Sequence, residues 1–134
     1  MPTTNNRQLT LTTVGANVTI NVTYNAVFSV FERHLAGLGL VFRERIAVIG
    51  VDPAGATTGT VLTSFPSPNL AVTDGAAVQT IARNVSMTVA RAMLQEDPAV
   101  GDSDEIRCRI RIEAIGLPPG VTPDAFTDQE VLLG

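Results

Sequence analysis

The 134-residue chain has no tryptophan and no lysine, and it has a single cysteine and a single histidine. One cysteine excludes an intramolecular disulfide framework, and one cysteine with one histidine cannot supply a Cys/His zinc cluster. Aromatic residues make up only 4% of the chain, so a core must be built mainly from Val, Ile, Leu and Ala. No apolar run is long enough for a membrane-spanning helix.

Motifs for catalysis and cofactor binding are missing as well. The sequence contains no Gly-x-Ser-x-Gly motif and no glycine-rich phosphate loop. His34 is the only candidate base of its type, and Cys108 falls on the apolar side of an alternating segment, which is typical of a packing residue. We therefore predict that the chain is not an enzyme and has no cofactor other than a calcium ion. A small enzyme with a His34–Cys108 pair is the last alternative.

The first residues indicate location and domain organisation. Residues 1–7 are polar, and no apolar segment follows them, so the sequence has no signal peptide pattern. We expect a cytoplasmic protein, or one incorporated into an assembled particle. A chain of this length fits one domain. We predict a flexible N-terminal arm over residues 1–7 and a single domain over residues 8–134.

Alternation of apolar and polar residues dominates the rest of the sequence. From Asn17 to Tyr24, and again from Ile106 to Ile112, every second residue is apolar. A strand with one apolar and one polar side belongs to an antiparallel sheet with one buried face. Shorter strand patterns begin at Leu9, Leu40, Thr60 and Glu130. The fold class that we predict is all-β, a single antiparallel β-sandwich of about seven or eight strands.

Two segments fit either a helix or a strand. Residues 26–38 have a helical stripe, with Asn25 as an N-cap, but they also extend the preceding strand pattern. Residues 76–95 repeat apolar residues every four positions, yet their composition favours a strand, which is our interpretation. If both segments were helical, the fold would be α+β with the order ββαββαββ.

An acidic loop is the densest cluster of charge. Residues 96–105 contain five of the 13 acidic residues, and the chain as a whole has a net charge of −4. Calcium prefers several carboxylate oxygens and tolerates irregular loops. Asp97, Asp102, Asp104 and Glu105, with Asp52 from another strand end, are our candidate calcium ligands. This arrangement resembles the C2-like sandwiches in architecture and loop composition. The alternative is a solvated turn that starts at Asp97-Pro98.

An arginine row follows the acidic loop. Arg107, Arg109 and Arg111 occupy one face of a strand, roughly 6.5–7 Å apart, and form a candidate surface for an anionic ligand or a partner. The alternative is pairing across strands with Glu44 or Glu113. Arg43 and Arg45 face one side of their own strand, so both rows are expected on one sheet. The net negative charge argues against a specific nucleic-acid partner.

These observations favour a surface function over chemistry. We predict a structural β-sandwich that is a building block of a larger assembly, such as a virion, a filament or an injection particle. Self-association or contact with other protein subunits would use the edge strands at Leu9–Leu11 and Val131–Leu133, which lack protective lysines. The alternative function is a calcium-dependent binding module for phosphate, a lipid headgroup or a glycan.

Overall fold

The structure is a computed structural model that describes residues 2–51, 59–94, 103–115, 125–127 and 130–133. These residues form nine strands, of which two are only two residues long, and two helices. The strands are β1 (Thr3–Val14), β2 (Asn17–Phe28), β3 (Val41–Val51), β4 (Gly59–Ser64), β5 (Asn69–Leu70), β6 (Gln79–Ala90), β7 (Ser103–Ile115), β8 (Ala125–Phe126) and β9 (Glu130–Leu133). The helices are α1 (Val30–Gly37) and α2 (Arg91–Leu94).

The strands form two antiparallel sheets. Sheet A has the order β1-β2-β6. Sheet B has the order β4-β3-β7-β8, with β5 also paired to β3 and β9 also paired to β7. The predicted all-β sandwich is confirmed. The ββαββαββ alternative is not adopted, because only one of the two ambiguous segments supplies a helix longer than one turn. None of the helices in the described ranges is long and apolar enough to cross a membrane.

The two sheets bury one apolar layer between them. Alternate residues of β2, from Val18 to Phe28, are buried and face the inner side of sheet A. They pack against the inner residues of β3 and β7, including Ile46, Val48 and Ile110. Phe28 and Phe42 stack with their ring centroids 5.1 Å apart. Burying each such side chain contributes about 1.5–3 kcal/mol, which makes this layer the main source of stability.

The N-terminal arm that we predicted for residues 1–7 is wrong from Thr3 onwards. Strand β1 begins at Thr3, which pairs with Val27 of β2. Because β2 continues to Phe28, it offers a backbone partner to a polar segment that has no apolar pattern of its own. A bulge between Asn5 and Gln8 interrupts the pairing, and Asn6 within it has a φ of 53°. Asparagine tolerates this left-handed conformation better than most residues.

The two ambiguous segments take different structures. In the first, β2 ends at Phe28 and α1 starts after Ser29, whose hydroxyl accepts from the Glu32 N–H while the Glu32 carboxylate accepts from the Ser29 N–H. This capping box makes Ser29 the N-cap, so our choice of Asn25 is wrong. In the second segment, residues 79–90 form β6 as favoured, and only the single turn α2 follows.

Candidate interaction surfaces

Strand β7 places the predicted arginine row on the outer face of sheet B. Its inner residues, from Ile106 to Ala114, are buried, and the arginines alternate with them on the outside. On β3, Arg45 lies opposite Arg111, and Ala47 lies opposite Arg109. The structure therefore brings arginines of both strands onto one surface, as the alternation of each strand predicts.

The arginines of this surface have different partners. Arg45 forms an ion pair with Glu113, and Arg43 Nε donates to Asn69 Oδ1 over 3.3 Å. The Arg109 side chain has no hydrogen bond or ion pair with another described residue. Arg45, Arg109 and Arg111 surround a small pocket of about 60 Å³. The pocket is also lined by Ser64, the last residue of β4, and by Ser67 shortly after it. The sequence gives no signal for these serines, because they come close to the arginines only through the pairing of β4 with β3.

Glu44, one of the carboxylates predicted to pair with the arginine row, lies on the opposite side of the sheet. It faces inwards from β3 and is fully buried. Tyr24 donates its hydroxyl hydrogen to Glu44 Oε1 over 2.7 Å, while Arg83 donates to Oε1 and Oε2 over 2.9 and 3.0 Å. The strict alternation of Phe42, Glu44 and Ile46 is the signal that would have placed it inside.

This network joins the two sheets, because Tyr24 and Arg83 belong to sheet A and Glu44 belongs to sheet B. Burial, and then the hydrogen bond to Glu44, raise the pKa of Tyr24 well above its usual value. The hydrogen bond to Glu44 also raises the pKa of Arg83. Both effects keep Tyr24 neutral and Arg83 charged. The three groups satisfy one another, which is typical of a structural network.

The outer face of sheet A carries no charged residue. Each of its three strands contributes six outward residues, and all eighteen are threonine, asparagine, serine, glutamine, alanine or valine. Neighbouring side chains form hydrogen bonds across the strands: Thr19 with Thr88 at 3.0 Å, and Asn21 with Asn84 and Ser86, each at 2.7 Å. We call this surface the uncharged face.

Helix α1 and the loop before β6 form a separate polar cluster. Arg33 donates to the carbonyl oxygens of Thr73, Asp74 and Ala77 over 2.7, 3.1 and 2.7 Å. His34 Nδ1 lies 2.5 Å from Asp74 Oδ1, and both side chains are more than half exposed. These contacts fasten the helix to the loop.

The predicted alternative of a His34–Cys108 pair is not formed. Cys108 is fully buried in β7, where its N–H donates to Thr127 Oγ1 over 2.9 Å. His34 lies on the exposed side of α1 with Asp74 as its partner. A buried thiol and an exposed imidazole with another partner cannot act together on a substrate.

The candidate calcium ligands fall mostly outside the described residues. Asp52, Asp97 and Asp102 lie in such gaps, and Asp104 and Glu105 are described only as backbone of β7, which begins at Ser103. The strand thus takes in three residues that we had assigned to the loop. Within the described part of the chain, no group of three or more His, Cys, Asp or Glu residues is arranged to hold a metal. The calcium site stays a prediction.

Comparison with known proteins shows the fold and no family. No protein-family model and no curated protein matches the chain. Among solved structures, the chain is similar to a bacterial adhesin from Mobiluncus mulieris that contains intramolecular disulfide, isopeptide and ester bond cross-links. The TM-score is 0.57 at 16% sequence identity. The match covers 99% of this chain and 49% of the adhesin chain, so this chain spans about half of its length.

Two of the three kinds of cross-link named for the adhesin, the disulfide and the lysine isopeptide bond, cannot form within these 134 residues. These 134 residues contain one cysteine and no lysine. They therefore cannot form a disulfide within the chain, nor an isopeptide bond through a lysine amine. In the described part of this chain, the noncovalent core and the Tyr24–Glu44–Arg83 network connect the two sheets.

Proposed function

We propose that the chain is a non-enzymatic structural β-sandwich, a building block of a larger assembly that acts through contacts between protein surfaces. The observation that carries this proposal is the uncharged face of sheet A. Charged residues are depleted at the centres of protein–protein interfaces, because they must lose their hydration when the interface forms. Eighteen outward positions without one charge, on an otherwise charged molecule, fit such a contact.

The side chains of the uncharged face are held in place by hydrogen bonds, which also supports a contact. Its side chains already hydrogen-bond to one another across β2 and β6, so fewer rotamers are lost on binding. The fold is similar to that of a bacterial adhesin, and a function through surface contacts agrees with this likeness. The partner on this face is another protein subunit, and a second copy of the chain is the first to test.

Oligomeric state tests the proposal. We expect the purified wild type to form species larger than a monomer at micromolar concentration in sedimentation velocity experiments. Thr12→Glu combined with Thr23→Glu places two charges on β1 and β2 of the uncharged face. A buried, unpaired charge is costly, so this variant should weaken the contact at least about tenfold.

A matched control places the same charges elsewhere. Leu38 and Val61 are 85% and 50% exposed and lie away from the uncharged face. Leu38→Glu combined with Val61→Glu should leave the oligomer unchanged. A wild type that is strictly monomeric up to high concentration contradicts the proposal, and so does equal weakening by both double variants.

The arginine surface supports a second candidate function, the binding of an anionic group such as phosphate or sulfate. Three arginines and two serines are among the residues that line one small pocket, and the Arg109 side chain has no hydrogen bond or ion pair with another described residue. Arginine binds oxyanions through paired N–H donors. The predicted calcium-dependent module would use this surface together with the acidic loop.

Thermal shift measurements test the anion site. Phosphate should raise the Tm of the wild type more than sodium chloride of equal ionic strength does. Arg109→Gln should reduce phosphate affinity at least about tenfold, because it removes one charged donor from the pocket. Arg43→Gln, which changes an arginine bound to Asn69, is the control and should have a smaller effect. Equal effects of phosphate and chloride would exclude the site.

A further inference from the structure

The long strand β6 forms one edge of sheet A. It pairs with β2 over all twelve residues from Gln79 to Ala90, without a register shift. Natural edge strands are usually protected by lysine, proline, a bulge or an inward-pointing charge. Strand β6 has no lysine, proline or bulge, and its one inward-pointing charge, Arg83, is neutralised by Glu44. Such an edge offers a straight row of backbone donors and acceptors to another strand.

The hydrogen-bonding side of each β6 residue follows from the ladder with β2. Arg91 N–H donates to the Ala16 carbonyl over 2.8 Å, one step beyond the pair of Asn17 and Ala90. Bonded and non-bonded pairs alternate along an antiparallel ladder. The odd-numbered residues of β6 therefore bond to β2, whereas the N–H and C=O groups of the even-numbered residues point to the open side. These residues are Thr80, Ala82, Asn84, Ser86, Thr88 and Ala90.

No backbone group of another described residue bonds to this open side. The inner side chains of β6 are also incompletely covered. Ile81, Val85, Met87 and Val89 pack against the core but are only half-buried, whereas the corresponding residues of the central strand β2 are fully buried. A strand added beside β6 would satisfy the open backbone groups and cover this apolar row together.

We infer that the occupant of this edge is β6 of a second copy of the chain, antiparallel about a two-fold axis at Val85. This inference rests on the proposed function, and it names the partner and the contact. Two copies of sheet A then form one continuous sheet with the order β1-β2-β6-β6-β2-β1. The contact is isologous, so it closes as a dimer, and the uncharged face remains available to join dimers.

The sequence of β6 suits pairing with itself. With Val85 on the axis, Ile81 lies opposite the partner's Val89, and Arg83 lies opposite the partner's Met87. Arg83 remains bound to Glu44 and meets no like charge across the contact. The even residues meet in pairs, Asn84 with the partner's Ser86 and Ala82 with the partner's Thr88, so all six open positions gain backbone partners.

A proline at Ser86 tests the contact. It removes one N–H on the open side and leaves the ladder with β2 intact, which an edge strand tolerates. The background is the Thr12→Glu, Thr23→Glu variant, in which the uncharged face is blocked and β6 is unchanged. We expect that background to be a dimer, Ser86→Pro to make it monomeric, and Ser86→Ala to leave it dimeric. Circular dichroism and Tm verify that each variant is folded.

Amide hydrogen exchange gives an independent readout. The N–H groups of Ala82, Asn84, Ser86 and Thr88 should exchange rapidly in dilute protein and become at least tenfold slower as the dimer forms. The odd-numbered amides, which bond to β2, should be protected at every concentration.

The outcomes separate this inference from the proposed function. If the background variant is already monomeric while the wild type is not, the β6 contact is wrong and assembly through the uncharged face stands. If Ser86→Pro leaves the dimer intact, the β6 contact is wrong, and the uncharged face is then judged by whether the background variant has lost the larger species of the wild type. If the wild type is monomeric at all concentrations, both fail. Concentration-independent exchange of the even-numbered amides also overturns the β6 contact.

Discussion

The outer faces of the two sheets differ in charge, although their inner faces follow the same alternation of apolar residues. Sheet A presents threonine and asparagine with no charge, whereas sheet B presents arginines on β3 and β7. The inner positions are constrained by the shared core, so the outer positions are the half of each strand that is free to differ. The contrast between the outer faces is therefore the basis of the proposed function, whereas the inner faces supply the buried core.

The largest expected effect compares two acid–arginine pairs, one between the sheets and one on an outer face. Glu44→Ala should cost about 3–5 kcal/mol of unfolding free energy, because it leaves a buried tyrosine hydroxyl and the Arg83 charge without their partner. Glu113→Ala removes the exposed partner of Arg45 and should cost less than about 1 kcal/mol. Urea unfolding of both variants measures the difference. Similar losses would mean that Glu44 is not the link between the sheets.

A second comparison tests the two sides of β7. Ile110 is fully buried, and its replacement by alanine should cost about 2–5 kcal/mol. Arg109 is its neighbour on the outer face, and Arg109→Ala should cost well under 1 kcal/mol, because it breaks no described hydrogen bond. Chemical denaturation of the two variants provides the measurement. A larger loss of unfolding free energy for Arg109→Ala than for Ile110→Ala would mean that the arginine row lies on the buried face of β7, contrary to the structure.

The sequence predicted those features that depend on alternation within one strand. Asn17–Tyr24 and Ile106–Ile112 were assigned correctly, and Cys108 was placed inside, because the side-chain period of a strand is two. The same rule puts Glu44 inside, but we read it as a partner for the arginines from its charge alone. The capping box of Ser29 and Glu32 is likewise recognisable from the sequence, as a serine followed three residues later by a glutamate, but we chose Asn25 as the N-cap.

Features that depend on pairing between distant segments were not predictable. Thr3–Arg7 has no apolar pattern, and it becomes a strand only because β2 extends beside it. The pocket between Arg45, Arg109 and Ser64 requires the order of strands in sheet B. We identified Leu9–Leu11 as an edge, which β1 is, but the open edge of β6 is visible only once sheet A is known to have three strands.

Alkaline pH tests the link between the sheets. The pKa of Tyr24 is raised in the folded state, so the folded protein holds its proton after the unfolded chain has lost it. The stabilisation is complete below pH 10 and is lost above it, at about 1.4 kcal/mol per pH unit. Tyr24 is the only tyrosine, and Tyr24→Phe should remove this part of the decline. Equal slopes for both proteins between pH 9 and pH 11 would contradict it.

The smallest expected effect concerns the acidic residues that precede the arginine row. If they bind calcium, an ion concentration of about five times the dissociation constant stabilises the fold by about 1 kcal/mol, a Tm increase of a few degrees. Magnesium should do less, because it requires stricter geometry. Asp102→Asn with Asp104→Asn should abolish the calcium increment. If calcium has no more effect than sodium chloride of equal ionic strength, the residues form a solvated turn.

The contacts of Arg33 determine where this chain tolerates an insertion. Three carbonyl oxygens of residues 73–77 converge on one guanidinium group, and a side chain at Gly75 would collide with it. One added residue in that loop would therefore move at least one of these carbonyl oxygens away from Arg33. The Gly15-Ala16 turn has one tie, from the Arg91 N–H to the Ala16 carbonyl, and no atom lies within 4 Å of the position where Gly15 would carry a Cβ. Gly15 has a φ of 60°, so it should be kept and the insertion placed beside it. A displayed peptide or a fluorescent tag belongs at that turn.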